Sequence, residues 1–125
     1  MKKKIVLVED DPLLIDIYTT KFQETGIQVT VVEHGEKAVE KIRKEKPDLV
    51  VLDIVLPHQD GWEILHTLKT DKELEGIQVI ILSNLGQKDE VEKGLRLGAA
   101  RYLIKAHHTP TQVVEEVLRI MKKSK

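Results

Sequence analysis

Four short apolar runs, mostly β-branched, constrain this chain more than any other feature: Ile5-Val-Leu-Val8, Val29-Thr-Val-Val32, Leu49-Val-Val-Leu52 and Val79-Ile-Ile-Leu82. They are too short for buried helices and lack the polar alternation of a sheet with one wet face. They therefore read as strands covered on both sides. Arg101-Tyr-Leu-Ile-Lys105 is a weaker fifth. Between the runs, apolar residues recur at helical spacing: Leu14, Ile17, Tyr18 and Phe22; Ala38, Val39 and Ile42; Ile64, Leu65 and Leu68; Val91 and Leu95; then Val113, Val114, Val117, Leu118 and Met121. The alternation predicts an α/β fold, a doubly wound five-stranded parallel sheet with helices on both faces. Each parallel crossover needs a dozen or more residues and is right-handed. Asp11-Pro12 reads as an N-cap with proline at the first helical position, and Gly26 and Gly98 as helix ends.

The length of 125 residues fits one domain, spanning 1–125. With 20 Lys+Arg against 21 Asp+Glu, the formal net charge of -1 offers no general attraction to nucleic acid or an anionic membrane, which favours protein partners. The chain has no cysteine, so disulfides and thiolate metal sites are excluded. Lys2-Lys-Lys4 resembles the start of a signal peptide, but the apolar run Ile5 to Val8 is too short for one or for a membrane span. The chain reads as unexported and cytoplasmic. The basic end Arg119 to Lys125 reads as a solvated helix terminus with cations at the negative pole of its dipole, or else as a cut linker.

In open α/β sheets the functional crevice lies beyond the carboxyl ends of the strands. Polar residues gather there in this chain: Glu9, Asp10 and Asp11 follow the first strand, Asp53 the third, Ser83 and Asn84 end the fourth, and Lys105 ends the fifth. Four strands thus deliver reactive side chains to one edge. Taken singly, Asp53 is a strand-end turn carboxylate, Ser83 an ordinary turn serine and Lys105 a solvated lysine. Their joint placement argues for chemistry.

Val8-Glu-Asp-Asp11, Asp48-Leu-Val-Val-Leu-Asp53-Ile-Val-Leu-Pro57 with Asp60-Gly61, Ile81-Leu-Ser83, Gly98-Ala99 and Tyr102-Leu-Ile-Lys105 together closely resemble the receiver domains of bacterial two-component response regulators, from Lys4 to about Lys122. The resemblance implies strand order 2-1-3-4-5, the order of the flavodoxin-like folds. It implies that Asp53 is the nucleophile that becomes an acyl phosphate. Mg2+ would be held by Asp10, by Asp53 and by the backbone carbonyl of Val55, with Glu9 holding a coordinated water. Such a cation relieves the repulsion among the carboxylates and suits the preference of Mg2+ for one or two carboxylates plus water and phosphate oxygens. Asp11 is left to cap the helix. Lys105 would pair with Asp53 and then with a phosphoryl oxygen, and Ser83 would donate its hydroxyl to the same group. Tyr102 resembles the aromatic switch residue, whose ring turns inward as Ser83 moves toward phosphate. Val55 and Leu85 occupy the places that flank the line of water attack, where apolar side chains imply a long-lived adduct.

Two positions depart from the family pattern. Ala106 stands where proline usually follows the lysine through a cis bond, so Lys105-Ala106 is expected cis if the loop keeps its shape. Asn84 stands where a small residue is usual. His107 and His108 are adjacent, not three or four apart on a helix, and read as loop residues; His34, His58 and His66 are isolated, and Trp62 reads as packing.

The implied function is a phosphorylation-dependent signalling switch. It takes phosphate from a sensor histidine kinase or histidine phosphotransfer protein, and binds a downstream target through the face of the fourth helix, fifth strand and fifth helix. The domain itself would bind neither nucleic acid nor membrane, and would be a monomer or a phosphorylation-dependent dimer. A fragment of a longer DNA-binding regulator is an alternative. A haloacid-dehalogenase-type phosphatase shares the strand-end Asp with Mg2+ but needs a second Asp where this chain has Val55. A flavodoxin-like cofactor site conflicts with the acidic first loop, which repels phosphate. A degenerate, unphosphorylated receiver conflicts with intact Asp53 and Lys105.

Overall fold

A computed structural model describes residues 3–57 and 59–123, so His58 and the outermost residues of the two basic termini lie outside it. The strands are β1 (Lys4–Val8), β2 (Gln28–Val32), β3 (Leu49–Leu52), β4 (Val55–Leu56), β5 (Gln59–Asp60), β6 (Gln78–Ser83) and β7 (Arg101–Ile104). The helices are α1 (Pro12–Glu24), α2 (Ala38–Glu45), α3 (Gly61–Thr70), α4 (Lys88–Arg96) and α5 (Pro110–Lys123). The main sheet has the order β2-β1-β3-β6-β7 with every pair parallel. Counting only its five strands, that is the expected 2-1-3-4-5 order. The sequence patterns did not predict β4 and β5, which form a two-residue antiparallel hairpin between β3 and α3.

The absence of polar alternation in the strands follows from their position. Side chains alternate between the faces of the sheet. Val6, Val8, Val50, Leu52, Val79 and Ile81 join a core with Ile42, Ile64, Leu65 and Leu68 of α2 and α3. Ile5, Leu7, Leu49, Val51, Ile80 and Leu82 join another with Tyr18 and Phe22 of α1 and Val113, Val117 and Met121 of α5. Both faces are apolar because both are covered.

Helix ends follow their predicted chemistry. Asp11 Oδ1 accepts from the N–H groups of Leu13 and Leu14 at 2.9 and 3.4 Å, and Pro12 opens α1. Gly26 and Gly98 follow α1 and α4 with φ of 85° and 115°. The face of α4 differs from expectation. Val91 is half-buried and Leu95 is 46% exposed, while Gly94 is the buried residue of this helix. A periodicity count sees apolar side chains and passes over a glycine, so it aims the helix wrongly here.

Candidate functional site

The sheet brings the carboxyl ends of β1 and β3 together, and two backbone bonds continue the ladder past them. Glu9 N–H donates to the Val32 carbonyl at 3.1 Å, and Asp53 N–H donates to the Val8 carbonyl at 3.0 Å. Both acids are thereby held where their strands end, and both are almost wholly enclosed, Glu9 at 1% and Asp53 at 5% exposure. Asp10, next to Glu9, is exposed.

Lys105 arrives from the end of β7. Its Nζ lies 2.7 Å from Asp53 Oδ2 and 2.8 Å from Glu9 Oε1, so one ammonium bridges two buried carboxylates. The other oxygens are held by the backbone: Asp53 Oδ1 accepts from Val55 N–H, and Glu9 Oε2 from Asp11 N–H, each at 3.1 Å. The approach of Lys105 to Glu9 is an ion pair without hydrogen-bond geometry, which leaves Glu9 Oε1 a buried acceptor with no hydrogen-bond donor among the described residues. Burial raises the Glu9 pKa above the usual carboxylate value, with Lys105 opposing it and the negative Asp53 adding to it. Burial lowers that of Lys105, but the hydrogen bond to Asp53 and the negative charges of Asp53 and Glu9 more than offset this, so it stands above the ordinary lysine value.

Ligand atoms of Glu9, Asp10 and Asp53 lie within 4.8 Å of one another. Three neighbouring carboxylates and one ammonium leave an excess of negative charge at this corner of the sheet. An all-oxygen acidic set with an unsatisfied buried oxygen fits a small hard divalent cation better than a soft one. His107 is exposed and His108 sets Nδ1 3.1 Å from the Ile104 carbonyl, and neither belongs to the acidic group.

The loop after Asp53 is pinned by the start of α3. Gly61 N–H donates to the Ile54 carbonyl at 3.0 Å. A Cβ on Gly61 would sit 2.4 Å from Ile54 Cα and 2.8 Å from the Asp53 carbonyl oxygen, so only glycine permits this approach. Asp60 caps the same helix end by accepting from Trp62 N–H at 2.9 Å. Trp62 is half-buried, with Lys93 Nζ of α4 4.5 Å from its ring centroid.

On the β6 side, Ser83 is fully buried and its Oγ accepts from Leu85 N–H at 3.3 Å. The Leu85 carbonyl in turn accepts from the Tyr102 hydroxyl. Both peptide groups of Leu85 therefore join Ser83 to Tyr102, a connection with no sequence signal because it runs through backbone. Tyr102 is half-buried, and burial first, then the negative charges of Glu90 and Asp53, push its pKa up to about 12. The Leu85 side chain packs on the core, the Val55 side chain is 58% exposed, and Asn84 is exposed.

The loop after Lys105 corrects one expectation. Among the described residues no peptide bond is cis, so Lys105-Ala106 is trans, and Lys105 to His107 form a single 3-10 turn. A cis bond before a residue other than proline costs about 2.5 to 4 kcal/mol. The turn brings Lys105 to Asp53 without it.

Residues 5–118 match the response regulator receiver domain. The chain belongs to that family. It is 34% identical to the alkaline phosphatase synthesis transcriptional regulatory protein PhoP of Bacillus subtilis across 99% of this chain and 50% of that protein. It is 36% identical to protein PilH of Pseudomonas aeruginosa, over 82% of this chain and 84% of the other. The BeF3-activated N-terminal receiver domain of Klebsiella pneumoniae RstA superposes with a TM-score of 0.84 at 34% identity, covering 95% of this chain and 97% of that one. The chain spans about half the length of most of the curated relatives it matches, PhoP among them. As a receiver domain it is a phosphorylation-dependent switch of two-component signalling, and no described helix is long and apolar enough to cross a membrane.

Proposed function

We propose that Asp53 is the phosphoacceptor of this receiver. The observation that carries the reading is the Lys105 ammonium between buried Asp53 and Glu9, beside exposed Asp10. A carboxylate oxygen of Asp53 attacks the phosphorus of a phosphohistidine on a sensor kinase or phosphotransfer protein. The new O–P bond forms as the P–N bond breaks, and the imidazole leaves with the electron pair and takes up a proton. Lys105 shifts from the Asp53 carboxylate to a phosphoryl oxygen, and the Ser83 hydroxyl donates to another. Asp10, Asp53 and the Val55 carbonyl would hold Mg2+, with Glu9 acting through a water. When bound, the ion supplies positive charge to the phosphoryl oxygens during transfer.

Transmission follows from the Leu85 peptide groups. When the Ser83 hydroxyl turns to phosphate, the bond from Leu85 N–H is given up and the loop that holds Tyr102 through the Leu85 carbonyl shifts. The face of α4, β7 and α5 then binds a downstream target protein. We place the domain in the cytoplasm, as a monomer or a phosphorylation-dependent dimer, with DNA binding left to any further domain. Hydrolysis of the adduct is assisted by the same residues and slowed by the apolar side chains of Val55 and Leu85. The test is incubation with Mg2+ and acetyl phosphate read by intact mass. One phosphoryl adduct is expected in the wild type and none in Asp53→Asn, whose neutral amide is no nucleophile; undiminished labelling of the variant removes Asp53 from the role.

A further inference from the structure

Helix α4 buries one residue, and that residue has no side chain. Gly94 lies in the helix interior, where glycine is less favourable than alanine because it forfeits more backbone entropy. Its use there is explained by what lies beneath it. A Cβ at Gly94 would stand 2.6 Å from Ile81 Cδ1, 2.8 Å from Tyr102 Cδ2 and 3.2 Å from Tyr102 Cε2. The Tyr102 ring thus occupies the space a side chain of α4 would take, and from there its hydroxyl reaches the Leu85 carbonyl.

We propose that Gly94 is the positioning residue of Tyr102: the missing Cβ holds open the seat in which the ring lies inward, so that the inward position is available before any phosphoryl group arrives. This rests on the reading of Tyr102 as the switch, but concerns where its ring sits at rest. The two clashing neighbours would respond differently to an added methyl. Ile81 Cδ1 is the tip of a flexible chain and can rotate away, whereas the phenol is a rigid plate that can yield only by turning about χ1 toward solvent. Lys93, beside Gly94, lies over the Trp62 ring, so a lifting of α4 instead would separate that pair.

The experiment labels the protein with 3-fluorotyrosine in a Tyr18→Phe background, so that Tyr102 gives the single 19F resonance, and adds Gly94→Ala without phosphodonor. In the parent, the resonance should lie away from that of the free amino acid and resist a soluble paramagnetic agent. In Gly94→Ala it should move toward the free position and its paramagnetic relaxation should rise several-fold, with Trp62 fluorescence unchanged. The same change is expected in Gly94→Ala with Ile81→Val, which removes the Ile81 Cδ1 clash, keeps the Tyr102 clash and guards against misfolding of the single variant. An unmoved resonance overturns the proposal, whether Trp62 fluorescence changes, meaning that α4 lifts, or does not, meaning that the methyl is accommodated. Whether Tyr102 responds to phosphate is tested separately, by adding acetyl phosphate and Mg2+ to the parent, and failure there would leave the resting position intact.

Discussion

Lys105 and Glu9 form an ion pair, with Nζ 2.8 Å from Oε1, although among the described residues that oxygen has no partner in hydrogen-bond geometry. Glu9 therefore has a charge partner and a free lone pair at once, the combination a water-bridged cation site requires. Glu9→Gln keeps the shape and removes the charge. Outer-shell partners of a metal are worth roughly 10- to 100-fold in affinity, and calorimetric titration with Mg2+ should show a loss in that range. An unchanged Kd would leave Glu9 outside the metal site.

Stability should depend on pH through the same pair. Burial raises Glu9, so its contribution is full below its unfolded value and is lost as pH rises through the folded one. Lys105 is raised too, by carboxylates that act on it only while they are ionised, so its contribution extends past neutrality and is lost only above the ordinary lysine range. Lys105→Met removes the cation that opposes the Glu9 shift, enlarging it. The destabilisation should be small near pH 4 and reach about 3 kcal/mol at pH 8, where two buried carboxylates stand unpaired. Urea denaturation at both values measures it, and an equal loss at each would argue against the mechanism.

Gly61→Ala drives a methyl against backbone atoms that have nowhere to retreat. Overpacking of this kind costs about 1 to 3 kcal/mol. The displaced segment carries the Val55 N–H that orients Asp53, so acetyl phosphate labelling should slow along with the fall in denaturation midpoint. Normal labelling in a destabilised variant would separate the two effects.

The lifetime of the adduct should respond to Val55 and Leu85. Neither side chain can orient a water, and a positioned general acid or base is worth about 10²- to 10⁴-fold. Water orientation counts for less, so Val55→Asn with Leu85→Glu should shorten the lifetime roughly tenfold. The check is a dephosphorylation time course in Mg2+ without a partner; a curve superimposing on that of the wild type would show that these side chains do not time the signal.

The five-stranded sheet was legible because β1, β3 and β6 are apolar on both faces, a pattern few other arrangements tolerate. The residues of the acidic crevice were legible because each ends or follows a strand. What escaped detection depends on tertiary approach. The hairpin of β4 and β5 is too short for any period, Gly94 has no side chain to enter one, and the Lys105 contact with Glu9 joins distant parts of the chain. The cis bond expected at Ala106 was a property of a proline that this chain lacks.

On the proposed reading, Leu85 contributes to two separable properties through different atoms. Its peptide groups hold Ser83 and Tyr102, while its side chain packs on the core. Replacing the side chain leaves the N–H and carbonyl in place. With switching carried by those peptide groups as proposed, descendants of this protein can reset the clock of the response without rewriting the message, because side-chain substitution does not alter the main chain.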